Sequence, residues 1–174
     1  QRKKHEFSVG NDILIPYLQK EGIKKIDKLI ITHGDADHIG AAQQLLSNIT
    51  VKEVVFGRKE QDAELEKIVK KQALEKEVKI REVREGESWS INGAEFFVLA
   101  PIGKENSENN ASIVMLAKLG GLTWLFTGDL EEEGEKFLVA TYPELRADVL
   151  KVAHHGSNTS STTPFLSVIQ PNIA

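Results

Sequence analysis

Thr32-His33-Gly34-Asp35-Ala36-Asp37-His38-Ile39-Gly40 packs four ionisable side chains into six positions, directly after the apolar run at residues 28–32 (KLIIT). A short run of apolar and β-branched residues is a buried strand, and residues 39–47 (IGAAQQLLS) have helical spacing. The cluster therefore occupies a strand-to-helix loop, where alternate side chains can face two metal ions. Imidazole and carboxylate ligands suit zinc, manganese or iron, and the larger carboxylate share favours a harder ion such as manganese. A plainer reading makes Asp35 or Asp37 a helix N-cap. It leaves His33 and His38 without a role.

Two further clusters repeat the pattern. Residues 122–126 (LTWLF) form a strand that ends at Thr127-Gly128-Asp129, and residues 131–140 follow as a helix. Asp129 is a bridging metal ligand on one reading and an N-cap on the other. Residues 149–153 (VLKVA) form a strand ending at His154-His155-Gly156-Ser157. Adjacent side chains of an extended chain point to opposite sides, so one histidine is expected as a ligand and the other as a catalyst. Three strands ending in histidine- and aspartate-rich loops can bring ligands to one edge of a sheet. His5 lies in a polar segment and reads as surface.

Elsewhere the chain alternates hairpins with strand–helix units. Residues 11–19 (NDILIPYLQ) read as a helix closed by Glu21-Gly22. Residues 51–56 are a strand, and residues 60–77 an amphipathic helix with Leu65, Ile68, Val69 and Leu74 on one face and its charges in solvent. Residues 78–83 alternate as an exposed strand does. Asn92-Gly93 joins strands 88–91 and 94–99 as a hairpin. Residues 101–110 are a polar loop carrying Asn106, Asn109 and Asn110, and Gly120-Gly121 joins strands 112–119 and 122–126. The mixture points to a layered α/β fold in a single domain over residues 1–174.

Composition narrows the chemistry. The 174 residues are enough for one domain with a real core, and 40% apolar with 28% charged residues is a globular balance. No window reaches the roughly 18 apolar residues of a membrane span. Gln1-Arg2-Lys3-Lys4 is basic but precedes no apolar signal core. With no cysteine, disulfides, thiolate zinc sites and cysteine nucleophiles are excluded, so any metal must take nitrogen and oxygen ligands. A net charge of −4 argues against broad counterion-release binding of nucleic acid, although bound cations would supply positive charge where a phosphate needs it.

The H-x-D-x-D-H run at His33–His38, the T-G-D at Thr127–Asp129 and the H-H-G-S at His154–Ser157 resemble the metallo-β-lactamase superfamily. More narrowly they resemble the extracellular domain of ComEC-type competence proteins, which take up DNA. The resemblance runs nearly the whole length of the chain. Asp35 stands where the superfamily commonly has a second histidine. No histidine lies between His38 and Asp129, so Asn110 and Ser112 stand in the region of the missing third motif. The family's opening strands and its last strands are not recognised, so the expected four-layer αββα sandwich is incomplete at both ends and is cut from a longer membrane protein.

The resemblance implies two divalent metal ions, Mn²⁺ favoured and Zn²⁺ possible, with no small-molecule cofactor. His33 and Asp35 would bind one ion, Asp37 and His38 the other, and Asp129 would bridge them. His154 would complete the second site, with Asn110, Ser112 and Ser157 as additional candidates. Two metals suit an in-line displacement at phosphorus, Asp37 orienting the attacking water and His155 protonating the leaving group. The expected activity is a metal-dependent phosphodiesterase on single- or double-stranded DNA, degrading the strand not imported during transformation. Its partner would be the remainder of a ComEC-type channel, at the extracellular face of the bacterial membrane. Lys24, Lys25, Lys28, Arg58 and Lys59 are candidates to guide a backbone, although a solvated surface is the plainer role. The alternatives are hydrolysis of another ester or amide, or a DNA-binding module weak in catalysis.

Overall fold

The computed structural model describes residues 7–103, 105 and 107–174. His5, Asn106 and the basic start of the chain, on which expectations were placed above, lie outside the described residues. Two compact units emerge: residues 1–55 with 62–81, and residues 56–61 with 82–174.

In the first unit a π-helical turn, Val9–Leu14, runs into α1 (Ile15–Lys20). Ser8 caps the turn through its hydroxyl, and Pro16 sits at the start of α1, where a missing N–H costs nothing. Strands β1 (Lys25–Ile26) and β2 (Leu29–Ile30) follow, then α2 (Ala36–Ile39) and α3 (Ala42–Asn48). The helix expected at residues 39–47 is thus two helices with a step at Gly40-Ala41. A side chain at Gly40 would lie 2.4 Å from the Ala36 carbonyl oxygen, so glycine is needed for the close approach there. Strand β3 (Thr50–Val51) pairs in parallel with β1, and β4 (Glu53–Gly57) with β2. Ile15, Leu45 and Ile49 form a core between α1 and α3, with Leu14, Leu18, Ile26 and Leu29 against it. Each such side chain contributes about 1.5–3 kcal/mol on full burial.

Helix α4 (Glu64–Glu75) is shorter than expected and buries a different face: Glu66, Val69 and Ala73, while Ile68 and Leu74 are exposed. Glu66 is inside because its carboxylate accepts the Ala63 amide at 3.0 Å, satisfying a helix-start donor. Charge on this helix is therefore not all in solvent. Strand β5 (Lys79–Val83) lies beside β4.

The second unit holds a five-stranded sheet. Strands β6 (Ser88–Ile91), β7 (Ala94–Ala100), β8 (Val114–Leu119) and β9 (Leu122–Phe126) form an antiparallel meander. The expected hairpin turns are present: Asn92 and Gly93 have φ of 50° and 85°, and Gly120 and Gly121 have 62° and 77°. Such positive pairs match the right-handed twist of the flanking strands. Strand β8 starts at Val114 rather than at residue 112, because Ser112 is turned aside, its amide bonded to the Asn109 carbonyl. Helix α5 (Glu132–Thr141) then carries the chain back to β10 (Val149–Lys151), parallel to β9, a pairing that needs such a crossover. Helix α6 (Thr163–Ile169) is the last helix, and Ile173 beyond it bridges in parallel to Val149. Leu138, Phe165 and Ile169 pack with Leu125 and Leu150 in the core of this unit.

Candidate functional site

The first cluster is built around one hydroxyl. Thr32 Oγ1 lies 3.1 Å from His33 Nδ1 and 3.4 Å from His38 Nδ1. The two rings stand 4.2 Å apart, centroid to centroid. With both Nδ1 atoms engaged, both Nε2 atoms turn away, each toward a carboxylate. His33 Nε2 is 3.6 Å from Asp35, and His38 Nε2 is 3.5 Å from Asp37. His33 is buried, whereas Asp35 and Asp37 are more than half exposed. Asp35 does occupy the N-cap of α2, but its side chain makes no capping bond. Capping thus does not account for it.

In the second unit, strand register assembles the cluster. Lys151 stands opposite Phe126, so three residues further along each chain Asp129 and His154 leave the same sheet edge. Thr127 ties the two strand ends by donating to the Lys151 carbonyl at 2.6 Å. Asp129 is 3% exposed, and its Oδ2 lies 3.6 Å from His155 Nε2 and 4.0 Å from His154 Nε2. Lys151 Nζ lies 3.7 Å from its other oxygen. Glu131, not Asp129, occupies the N-cap position of α5, so the N-cap reading of Asp129 fails.

The histidines are not in extended chain. His154 and His155 have φ of 47° and 51°, a left-handed pair followed by Gly156 at 80°. Left-handed backbone in residues other than glycine costs energy and concentrates at functional sites. The turn brings both imidazoles to Asp129, which corrects the expectation of opposite directions. His154 Nδ1 is also engaged, 3.3 Å from Thr159 Oγ1 and 3.7 Å from Glu131.

Asn110 and Ser112 sit beneath this loop. Ser112 Oγ accepts the Asp129 amide at 3.1 Å, and Asn110 Oδ1 accepts the Glu131 amide at 3.0 Å. Both hold backbone in place. Ser157 Oγ lies 3.0 Å from Thr159 Oγ1, at the edge of the same loop. Reading the sequence alone missed Thr32, Glu131 and Thr159. Thr32 and Thr159 flank the histidine motifs, and a hydroxyl beside a ligating imidazole is the available signal.

The donor set fits divalent metal. Two ligand atoms on one tetrahedral ion, with bonds of about 2.1 Å, stand roughly 3.4 Å apart. The histidine–carboxylate separations in each cluster are 3.5–4.0 Å, long for hydrogen bonds and of the size that shared coordination needs. All donors are nitrogen or oxygen.

The chain is 42% identical to ComE operon protein 3 of Bacillus subtilis over 175 residues, all of this chain and 23% of that protein. It is 33% identical to Competence protein ComA of Neisseria gonorrhoeae, over 92% of this chain and 21% of that one. Recombination protein 2 of Haemophilus influenzae is 32% identical, over 92% of this chain and 18% of its own. The chain thus spans about a fifth of the length of these relatives. Among solved structures, the diiron β-hydroxylase CmlA of Streptomyces venezuelae matches with a TM-score of 0.53 at 19% identity, over 73% of this chain and 25% of that one. A metallo-β-lactamase from Cronobacter sakazakii matches at 0.50 and 15%, over 76% and 60% of the two chains. These two establish the fold. The profile of the metallo-beta-lactamase superfamily matches residues 4–174, and the chain belongs to that superfamily.

Proposed function

We propose that this chain is a metal-dependent phosphodiesterase that hydrolyses DNA, acting as one metallo-β-lactamase-like domain of a longer competence protein. The observation that carries the reading is the buried Asp129 carboxylate with two imidazoles turned onto it by a strained backbone. The first cluster offers the same kinds of donor, imidazole and carboxylate. The likeness to a protein named for competence supports DNA as the substrate class. The setting proposed is DNA uptake at the extracellular face of the membrane, with the rest of a ComEC-type channel as partner. No described helix is itself long and apolar enough to cross a membrane.

His33 and Asp35 would hold one metal, Asp37 and His38 the other, Asp129 would bridge, and His154 would complete the set. Bound metals would neutralise the phosphodiester and acidify an attacking water, with Mn²⁺ preferred for an oxygen-rich set. The protein's own work is then positional. Asp37, exposed, accepts a hydrogen bond from the water and aims it at phosphorus. His155, also exposed, donates a proton from Nε2 to the departing oxygen. Lys151 and the Ser112 hydroxyl keep Asp129 from swinging away.

The test is degradation of linear DNA with added Mn²⁺ by the intact chain and by Asp37→Ala. The variant should lose about 10²-fold or more in rate. Undegraded DNA with the intact chain, while manganese still binds, would overturn the assignment.

A further inference from the structure

Lys151 ends β10 at the sheet edge from which Asp129 and His154 leave. Leu150 before it is buried in the core, so the alternation of the strand turns Lys151 to the opposite face. There its side chain is 40% exposed. Its register partner Phe126 stands two residues before Gly128. The long stem carries Nζ past the strand end, where it donates to the Gly128 carbonyl at 2.9 Å. From that position Nζ lies 3.7 Å from Asp129 Oδ1.

This ion pair is not drawn tight. Lys79 closes on Glu53, and Lys136 on Glu132, at 2.7 Å. A separation of 3.7 Å is too long for a hydrogen bond, so the ammonium is anchored on a backbone carbonyl and stands off from the carboxylate. An ammonium carries three donors. One serves Gly128, and the others have no hydrogen-bond acceptor among the described residues. The groups around Asp129 are also divided between its oxygens: His154 and His155 face Oδ2, and Lys151 faces Oδ1. A group seated before this carboxylate therefore lies between imidazoles and ammonium. A cation kept beside metal-ligating side chains opposes a divalent ion by like-charge repulsion. An anionic substrate offsets that cost, because its oxygens attract the ammonium and the ion together.

We propose that Lys151 is a catalytic residue whose ammonium contacts a non-bridging oxygen of the phosphodiester. The inference rests on the phosphodiesterase reading and adds a group that touches the substrate. In the reaction the oxygen of water bonds to phosphorus, and the proton it loses passes to solvent. The bond from phosphorus to the leaving oxygen breaks, its electron pair stays on that oxygen, and the proton from His155 Nε2 completes the alcohol. Lys151 neither gives nor takes a proton. It stabilises negative charge on the non-bridging oxygen, most strongly where that charge builds in the transition state.

The test compares the full chain with Lys151→Met, which keeps an apolar stem and removes the charge, and with Lys151→Arg. Thymidine 5′-monophosphate is titrated by calorimetry into each protein at saturating Mn²⁺, and Mn²⁺ affinity is measured separately. Lys151→Met should bind the nucleotide about ten-fold more weakly, while Lys151→Arg stays close to the parent. With bis(p-nitrophenyl) phosphate, kcat of Lys151→Met should fall roughly 10²-fold. If Lys151 served only to restrain Asp129, its loss would lower Mn²⁺ affinity and leave nucleotide affinity at saturating metal unchanged. Equal nucleotide affinity in the parent and Lys151→Met would overturn the proposal, as would an equal loss in both variants or a parent that binds no nucleotide. Nucleotide binding that depends on the Lys151 charge, with no phosphodiester ever cleaved, would refute the phosphodiesterase and leave the phosphate contact standing.

Discussion

At the scale of single residues, ligand types are legible and ligand orientation is not. His33, Asp35, Asp37, His38 and Asp129 stand out because ionisable residues rarely crowd the end of an apolar strand. The two histidines of the first cluster share a hydroxyl neighbour, and threonine in a strand is too ordinary to attract notice. Thr32 Oγ1 lies beside both Nδ1 atoms, while each Nε2 faces a carboxylate. Partners behind metal-ligating histidines typically contribute 10–100-fold in affinity. Thr32→Val keeps the shape and removes the hydroxyl, so Mn²⁺ affinity by titration calorimetry should fall by about that 10–100-fold factor. Unchanged affinity would mean that packing alone orients the rings. The histidine pair at 154 and 155 carries the same lesson in backbone form. Its left-handed turn has no signal in the two side chains, and only Gly156 hints at it.

At the scale of elements, turn and strand chemistry was legible and helix faces were less so. Asn92-Gly93 and Gly120-Gly121 demand positive φ and fix their hairpins locally. The face of α4 is decided instead by where the helix begins, and Glu66 settles that through a bond to Ala63. Helix α6 shows a related arrangement across sequence. It carries a threonine N-cap and a proline in its first turn, a start signal present in the residues, yet its cap hydroxyl faces an acid from another helix. Glu135, 1% exposed on α5, accepts the Ser161 amide, the Thr162 amide at 2.9 Å and the Thr162 hydroxyl at 2.7 Å. No local pattern reveals a cap supplied 27 residues away. Removing the acceptor leaves partly buried donors unpaired, and a fully buried unpaired donor costs about 1–3 kcal/mol. Glu135→Ala should therefore lower unfolding stability in urea by roughly 2–4 kcal/mol, and Glu135→Gln, which retains an acceptor, by clearly less. Equal losses in the two variants would show that lost packing, not capping, is responsible.

At the scale of the whole molecule, family and fold class were legible because three strand ends carry the motif in order, while the division into two compact units was not. That division follows from long-range contacts, with residues 56–61 grouped with a region that begins at residue 82. Such non-local ties can be probed through stability against pH. Asp148 precedes β10 and accepts the Thr123 amide and hydroxyl, both at 2.7 Å, at the start of β9. Its backbone also accepts the amides of Asn172 and Ile173, so one residue joins three distant segments. The Thr123 amide bond, followed by the Thr123 hydroxyl, holds the Asp148 pKa below its ordinary value of 3.8. A carboxylate whose folded pKa is depressed stabilises the fold fully above its unfolded pKa and loses that contribution as pH falls through the folded value. The chain should therefore keep the Asp148 contribution above about pH 4 and lose it progressively below. Asp148→Asn removes the titration, so the urea midpoint of the variant should lie below that of the parent near pH 6, and the gap should narrow as pH drops toward 3. A gap that stays constant with pH would mean that Asp148 acts through its shape and backbone bonds alone, with no part of its contribution carried by the charge.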